Sequence, residues 1–422
     1  MKHVLGTESG IGLAEADDWE VFIALIDRFA RDAEAAATRF DFGIAPSAIR
    51  CRMDTLVSDA RRIQRATWDA LPGGRALKEC LEALRKIAPS THRKSIARIG
   101  GVFAIHAYFR PRMTEEAIGR AIAASSFYEM AGDVMDDILD GGGWTFTEAT
   151  RFYDRCLRPL TDPSVSIDEL EGDLADWMGP GQEGLEHILA TAIRELRQLL
   201  ASSDARIHRL IGEGHEALAR GQAATVYLRR EAFNLPAVRE IAAGLLASDA
   251  SLSWLDRLAI CVSWTKHIPL FDAGLTSTPI QDAELTANAH AWRAIDQAVT
   301  LLEHFAGTEK DLREGVINVA CLQANLSARL LEPIPFSGYA PDERQAVFDK
   351  ATECLVRAVR EGVEGGGPRE EYLFLALMTP IIIFAFSRTP AEQADAFLET
   401  LSPALRAMAE QATLVQEVGI PA

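Results

Sequence analysis

The sequence predicts an all-α protein, one large helical bundle with additional helices at its N- and C-terminal ends. Three observations lead there. Apolar residues recur at three- and four-residue spacing over long segments, with almost none of the two-residue alternation that a half-buried strand requires. Ala, Leu, Glu and Arg, all strong helix formers, dominate the composition. The periodic segments are separated by short clusters of Gly and Pro rather than by long linkers.

In chain order the predicted helices span 19–40, 47–71, 75–87, 93–109, 114–140 and 146–160, then 184–201, 205–231, 237–247 and 253–270, and finally 283–305, 311–331, 341–361 and 390–417. The first places Trp19, Phe22, Leu25, Ile26 and Phe29 on one face. Pro72-Gly73-Gly74 separates the second helix from the third, and Gly141-Gly142-Gly143 stops the fifth. Gly179-Pro180-Gly181 and Gly365-Gly366-Gly367-Pro368 mark two further loops. The acidic stretch 162–176 reads as a solvated loop or a short surface helix. The most apolar stretch, 372–386, is interrupted by Thr379-Pro380 and is shorter than the ~20 residues a membrane span needs. It reads as a buried helix pair around a proline kink. No repeat of fixed period is present, and the predicted parts are an N-terminal helical extension (1–75), a helical bundle (76–332) and a C-terminal helical layer (333–422).

The 422 residues, 48% apolar and 25% charged, have the composition of a globular protein and exclude collagen-like or wholly disordered chains. Lys and Arg number 43 against 61 Asp and Glu, a net charge of −18, which argues against binding nucleic acid through its phosphates. An anionic substrate would need a metal ion or a local basic pocket. Six cysteines lie far apart with no CxxC pair, which fits a reducing compartment. Residues 1–12 carry no basic stretch leading into an apolar run, so the expected location is the cytoplasm. Nine histidines show no zinc-site spacing, and His290 and His304 read as ordinary helix residues.

One stretch carries chemistry. Asp133, Asp136, Asp137 and Asp140 crowd the last two turns of the predicted 114–140 helix, with Asp136 and Asp140 one turn apart on the same face. Each like-charged neighbour costs roughly 0.2–0.5 kcal/mol. The glycines that follow end the helix, which places the anions at the negative end of its dipole, unfavourable by about 0.3–1 kcal/mol each. The nearest cation downstream is Arg151, so the expected compensation is a bound ion rather than a local salt bridge. An oxygen-only donor set suits Mg²⁺, which keeps several waters and bridges to phosphate.

Asp136-Asp137-Ile138-Leu139-Asp140 also resembles the DDxxD first aspartate motif of the all-trans isoprenyl diphosphate synthases and of the class I terpene synthases that share their fold. Gly221-Gln222 resembles the GQ pair of a central helix, Lys266 in Trp264-Thr265-Lys266 stands where a diphosphate-holding lysine is expected, and Asp311-Leu312-Arg313-Glu314-Gly315 resembles the DLxxG stretch after the second motif. The resemblance covers roughly 78–331. It implies the isoprenoid synthase type of bundle, Mg²⁺ held by Asp136, Asp137 and Asp140, an allylic prenyl diphosphate as substrate, and a homodimer.

Two departures imply the type of reaction. Chain-elongating members carry RRG after the first motif and GGKRxRP before it. Here Gly141-Gly142-Gly143-Trp144 follows, and only Arg93-Lys94-Ser95-Ile96-Ala97-Arg98 precedes. The second motif falls on Trp292-Arg293-Ala294-Ile295-Asp296, where one carboxylate remains. The terpene cyclase pattern for that metal is partly met by Asp296 and Thr300, whereas its third position is His304 and Glu303 is one residue short; the alternative is that Asp296 and Glu303 are surface acids. The resemblance therefore implies a terpene synthase that ionises and cyclises one allylic diphosphate, with Lys94, Arg98, Lys266, Gln222 and Arg293 around the diphosphate. Phe127, Tyr128, Tyr227 and Trp264 are candidates for facing the carbocation, or else core. Gly132 and Ala131, four and five positions before the first Asp of the motif, and Ser125 and Ser126 further back are small and imply a deep tail channel, hence C20 geranylgeranyl diphosphate first. Asp133 is unusual at that wall and is expected to support the metal-binding carboxylates from behind. The alternatives are a prenyltransferase and a catalytically degenerate homologue serving as a partner protein.

Overall fold

The computed structural model describes residues 18–65, 72–105, 113–140, 143–162, 164–276, 280–326, 338–387 and 389–417. Among them the fold is all-α: no strand forms, and an isolated antiparallel bridge joins Arg229 to Val316. In chain order the helices are α1 (Asp18–Arg39), α2 (Pro46–Arg65), α3 (Gly74–Ile87), α4 (Pro89–Ile105), α5 (Glu115–Asp140), α6 (Phe146–Leu157), α7 (Leu170–Ala175), α8 (Leu185–Leu200) and α9 (Ala205–Ala224). They continue as α10 (Leu235–Gly244), α11 (Trp254–Cys261), α12 (Ile268–Gly274), α13 (Asp282–Arg313), α14 (Val319–Gln323), α15 (Pro341–Glu364), α16 (Arg369–Phe386) and α17 (Ala391–Glu417). None of the described helices is long and apolar enough to cross a membrane.

Contacts divide the chain into two compact units. A terminal unit comprises Met1–Ser58, Arg229–Glu231 and Gln281–Ala422, and a motif unit comprises Asp59–Leu228 and Ala232–Ile280.

The motif unit is built around α5. Every residue from 121 to 135 is buried, mostly apolar or small side chains but with Glu129 and Asp133 among them, and α4, α8, α3 and α12 pack against this helix. Local signals fix the ends of its neighbours. Thr145 and Glu148 form a capping box that starts α6, Asp204 caps α9, and Ser253 with Asp256 caps α11. The predicted 253–270 helix is in fact broken: α11 ends at Cys261, a 3₁₀ turn covers Thr265–His267, and α12 begins at Ile268. Pro269 explains the break, because proline fits the first turn of a helix and disrupts an interior.

In the terminal unit α13 packs on α15 and α16. The expected break after Phe305 does not occur. A glycine inside a helix costs about 1 kcal/mol, and Phe305, Thr308 and Leu312, all buried, more than offset Gly307. The chain turns instead at Gly315, with φ +81°, and the predicted 311–331 helix is reduced to α14 among the described residues. The 372–386 stretch is one helix rather than a pair. Fourteen consecutive residues, 372–385, are buried, which outweighs the roughly 3 kcal/mol that an interior proline costs.

Candidate functional site

The carboxylates at the end of α5 differ in their surroundings. Asp136 and Asp137 are half-buried and Asp140 is exposed, whereas Asp133 is 1% exposed. Two cations from α4 converge on one oxygen of Asp133: Lys94 Nζ lies 3.1 Å and Arg98 Nη1 3.0 Å from Oδ1. Ser95 Oγ donates to the other oxygen at 2.9 Å. Lys94 Nζ also lies 3.5 Å from Asp136 Oδ2. The expectation that no local salt bridge compensates the cluster is thus corrected, because α4 supplies two cations that spacing along α5 cannot reveal.

Tyr153, from α6, donates its hydroxyl to Asp136 Oδ1 at 3.4 Å. Burial, followed by the charges of Asp136 and Asp140, pushes this phenol well above its ordinary value, so it stays protonated and acts as donor. Gln182 Nε2 donates to the backbone oxygens of Asp137 and Ile138 at 3.1 and 3.3 Å, satisfying carbonyls that a helix end otherwise leaves open.

One turn further into the unit, α5 meets the segment after α11. A Cβ on Gly132 would lie 2.9 Å from the Trp264 indole, so the space released by the small residue is filled by a ring. Smallness at Gly132 therefore does not open a channel. Trp264 in turn contacts Tyr128 (ring centroids 5.4 Å apart) and Tyr153 (6.0 Å). The Tyr128 hydroxyl and His267 Nδ1 share a 2.6 Å hydrogen bond. His215, on α9, stacks on Tyr128 and sits 4.5 Å from the His267 ring. Neither of its ring nitrogens has a hydrogen-bond partner among the described residues. Burial, aided by the charge of Lys266, lowers the His215 pKa to about 3, so its imidazole is neutral. Phe127 is buried near the start of α3, where a Cβ on Gly73 would lie 3.0 Å from its ring, and Tyr227 stacks on Phe146. Of the four aromatic candidates, Tyr128 and Trp264 share this cluster.

Gly221-Gln222 and Lys266 both serve the end of α11. A Cβ on Gly221 would lie 2.6 Å from the Cys261 carbonyl oxygen, and Gln222 Nε2 donates to Val262 O at 2.7 Å. Lys266 is buried and its ammonium donates to Ile260 O at 2.9 Å and to Ser263 O, a favourable place for a cation beside a helix C-terminus.

Arg293, Asp296 and Thr300 lie on α13 in the terminal unit. Asp296 is wholly buried and Thr300 nearly so, so Asp296 is not a surface acid; Arg293 and Glu303 are half-buried. Beside Asp296, Gln297 accepts from Arg357 Nη2 at 2.6 Å. His304 Nδ1 accepts from Val319 N at 3.2 Å, so this histidine anchors α14. Asp311 accepts from Asn318 Nδ2 at 2.7 Å, which ties the stretch after α13 back onto it.

No family model matches this chain, and no curated protein matches it. Among the described residues no three His, Cys, Asp or Glu side chains are gathered into a ready-made metal site. Mg²⁺ does not require one, since it is usually held by one or two carboxylates together with waters and substrate phosphates. The partly exposed, oxygen-only donors of Asp136, Asp137 and Asp140 fit that mode.

Sequence reasoning missed Ser95, Tyr153, Gln182, His215 and His267. A signal existed for the histidine pair. Gly212 and Gly214 precede His215 within α9, and a Cβ on Gly214 would lie 2.3 Å from His267 Nε2; glycine inside a helix marks such close approach.

Proposed function

We propose that this chain is a Mg²⁺-dependent class I terpene synthase that ionises and cyclises a single allylic prenyl diphosphate and releases diphosphate. The observation that carries the reading is the arrangement at the end of α5. Accessible carboxylates at Asp136, Asp137 and Asp140 stand one to two turns from a buried aromatic cluster on the same helix and its neighbours.

Asp136, Asp137 and Asp140 would hold Mg²⁺, which when bound stabilises the diphosphate leaving group as a Lewis acid. Tyr153 keeps the Asp136 carboxylate in place by donating to it. The allylic C–O bond breaks with its electron pair leaving on diphosphate, and the carbocation closes on a double bond of its own chain. The cation that this closure leaves on the ring is discharged by losing a proton to the released diphosphate, which gives a hydrocarbon, or by capturing one water and then losing a proton, which gives an alcohol. The faces of Tyr128 and Trp264 would stabilise the carbocation, each by about 2 kcal/mol when desolvated, and their burial keeps bulk water from quenching it before the ring closes. With Gly132 covered by Trp264, the preference for a C20 substrate rests on Ala131, Ser125 and Ser126 alone.

The purified full chain, given C10 to C25 allylic diphosphates with Mg²⁺, is expected to release diphosphate and a terpene hydrocarbon or alcohol. Asp136→Ala and Asp140→Ala should each lower that release by about a hundredfold or more, the scale on which transition-state charge stabilisation acts. A longer prenyl diphosphate made only when isopentenyl diphosphate is added would identify a prenyltransferase instead. No release from any of these substrates would leave the degenerate partner protein, a reading favoured by the commitment of the Lys266 ammonium to backbone carbonyls.

A further inference from the structure

We propose that Asp133 is a built-in counter-anion that closes the basic patch of α4 to diphosphate, so that the site accepts one diphosphate and accepts it through the carboxylates at the end of α5. The inference rests on the reading above for its ligand class, and its geometry stands independently of that reading.

Lys94 and Arg98 are the positive side chains that α4 directs at α5, and both reach the same oxygen of Asp133. The carboxylate is buried, its side chain wholly shielded, while those of Lys94 and Arg98 are 42% and 20% exposed. Ser95, between them in sequence, fixes the second oxygen. The arrangement therefore has the chemistry of an anion site in which the anion is part of the chain. A phosphate group approaching from solvent would have to draw at least one cation away from a fully buried carboxylate, and a buried charge left without its partner is strongly disfavoured.

The cluster then sorts into two functions. Asp137 and Asp140, together with the half-buried Asp136 that Lys94 and Tyr153 also reach, remain for a metal-bridged diphosphate. The α4 cations, which would otherwise offer a second, metal-independent diphosphate cradle, are held by the chain's own carboxylates: Asp133 offsets one of their two charges, and Asp136 Oδ2, 3.5 Å from Lys94 Nζ, faces the other. An elongating enzyme needs two diphosphates bound side by side; closing one cradle leaves an enzyme for one substrate. A further consequence is that diphosphate affinity should depend almost wholly on Mg²⁺.

The test is calorimetric titration of the full chain with inorganic diphosphate in chelator at low ionic strength. Asp133→Asn, which keeps the shape and a partner for Ser95, should bind metal-free diphosphate roughly tenfold or more tightly than the wild type. Equal affinities in a variant that unfolds at the wild-type temperature would overturn the proposal. Lys94→Gln in the otherwise unchanged chain provides a second measurement that does not need the Asp133 variant to fold. It should change metal-free affinity by less than about threefold, whereas a tenfold loss would mean that Lys94 already reaches incoming phosphate, and the proposal fails. The terpene synthase reading is tested separately by Mg²⁺-dependent diphosphate release. Turnover without a gain in Asp133→Asn removes the counter-anion alone; a gain without turnover of any allylic diphosphate removes the enzyme reading alone.

Discussion

His215 is a residue whose environment contradicts its chemistry in water. It is fully buried, stacks on Tyr128, and faces His267 and the buried Lys266 ammonium. An imidazole there stays neutral down to about pH 3, against 6.5 for an ordinary histidine. Between those values the unfolded chain binds a proton that the folded chain refuses. Stability supplied by this group is therefore complete above about pH 6.5 and declines as pH falls toward 3, with a limiting slope of about 1.4 kcal/mol per pH unit. Urea denaturation at pH 7.5 and pH 5 should show the wild type losing about 2 kcal/mol more than His215→Asn over that interval. Equal losses would mean that the imidazole is charged in the fold. The same residue marks the limit of reading one side chain at a time. Asp136, Asp137 and Asp140 were legible because their helix spacing brings them together. The partners that define the site were not, since Ser95 reaches Asp133 across 38 residues and Tyr128 reaches His267 across 139.

Elements were legible wherever periodicity and a local end signal agreed. α6, α9 and α11 begin at capping residues visible in the sequence, and α5 ends at the predicted Asp140. Readings failed where burial overrode a breaker, at Gly307 and Pro380, or where a proline was absorbed into an over-long segment, at Pro269. The Gly221-Gln222 pair, which resembles a family motif, has a plain packing reason. Gly221 lets α9 lie against the end of α11, and Gln222 secures the contact by donating to Val262. A methyl group at 221 would have to displace backbone rather than a movable side chain, and overpacking of this kind costs about 1–3 kcal/mol or more. Gly221→Ala should lower the denaturation midpoint accordingly and, because Trp264 and Lys266 follow directly from that junction, should also disturb Trp fluorescence. A variant as stable as the wild type would show that α9 and α11 can separate without cost.

At the scale of the whole molecule the wide spacing of the cysteines was the observation that left most open, since it excluded a disulfide scaffold without saying where the thiols lie. All six are free, and five are buried: Cys80, Cys156 and Cys261 in the motif unit, Cys321 and Cys354 in the terminal unit. Cys51 alone is exposed. Burial pushes the Cys80 thiol up to about 12 and that of Cys321 to about 11, and raises Cys156 as well, which keeps these groups neutral and poor nucleophiles even where a reagent could approach. The chain thus carries probes in the core of each unit and one on the surface. In native buffer a thiol-specific chromogenic reagent should titrate one cysteine per chain quickly and the other five only in denaturant. The thermal midpoint should be the same with and without reductant, since no disulfide constrains the unfolded chain. Fast reaction of three thiols in native buffer, if mapped to Cys80, Cys156 and Cys261, would mean that the core around α5 opens under native conditions, and that the buried aromatic cluster beside Asp136 is not the closed, water-free environment that carbocation chemistry requires.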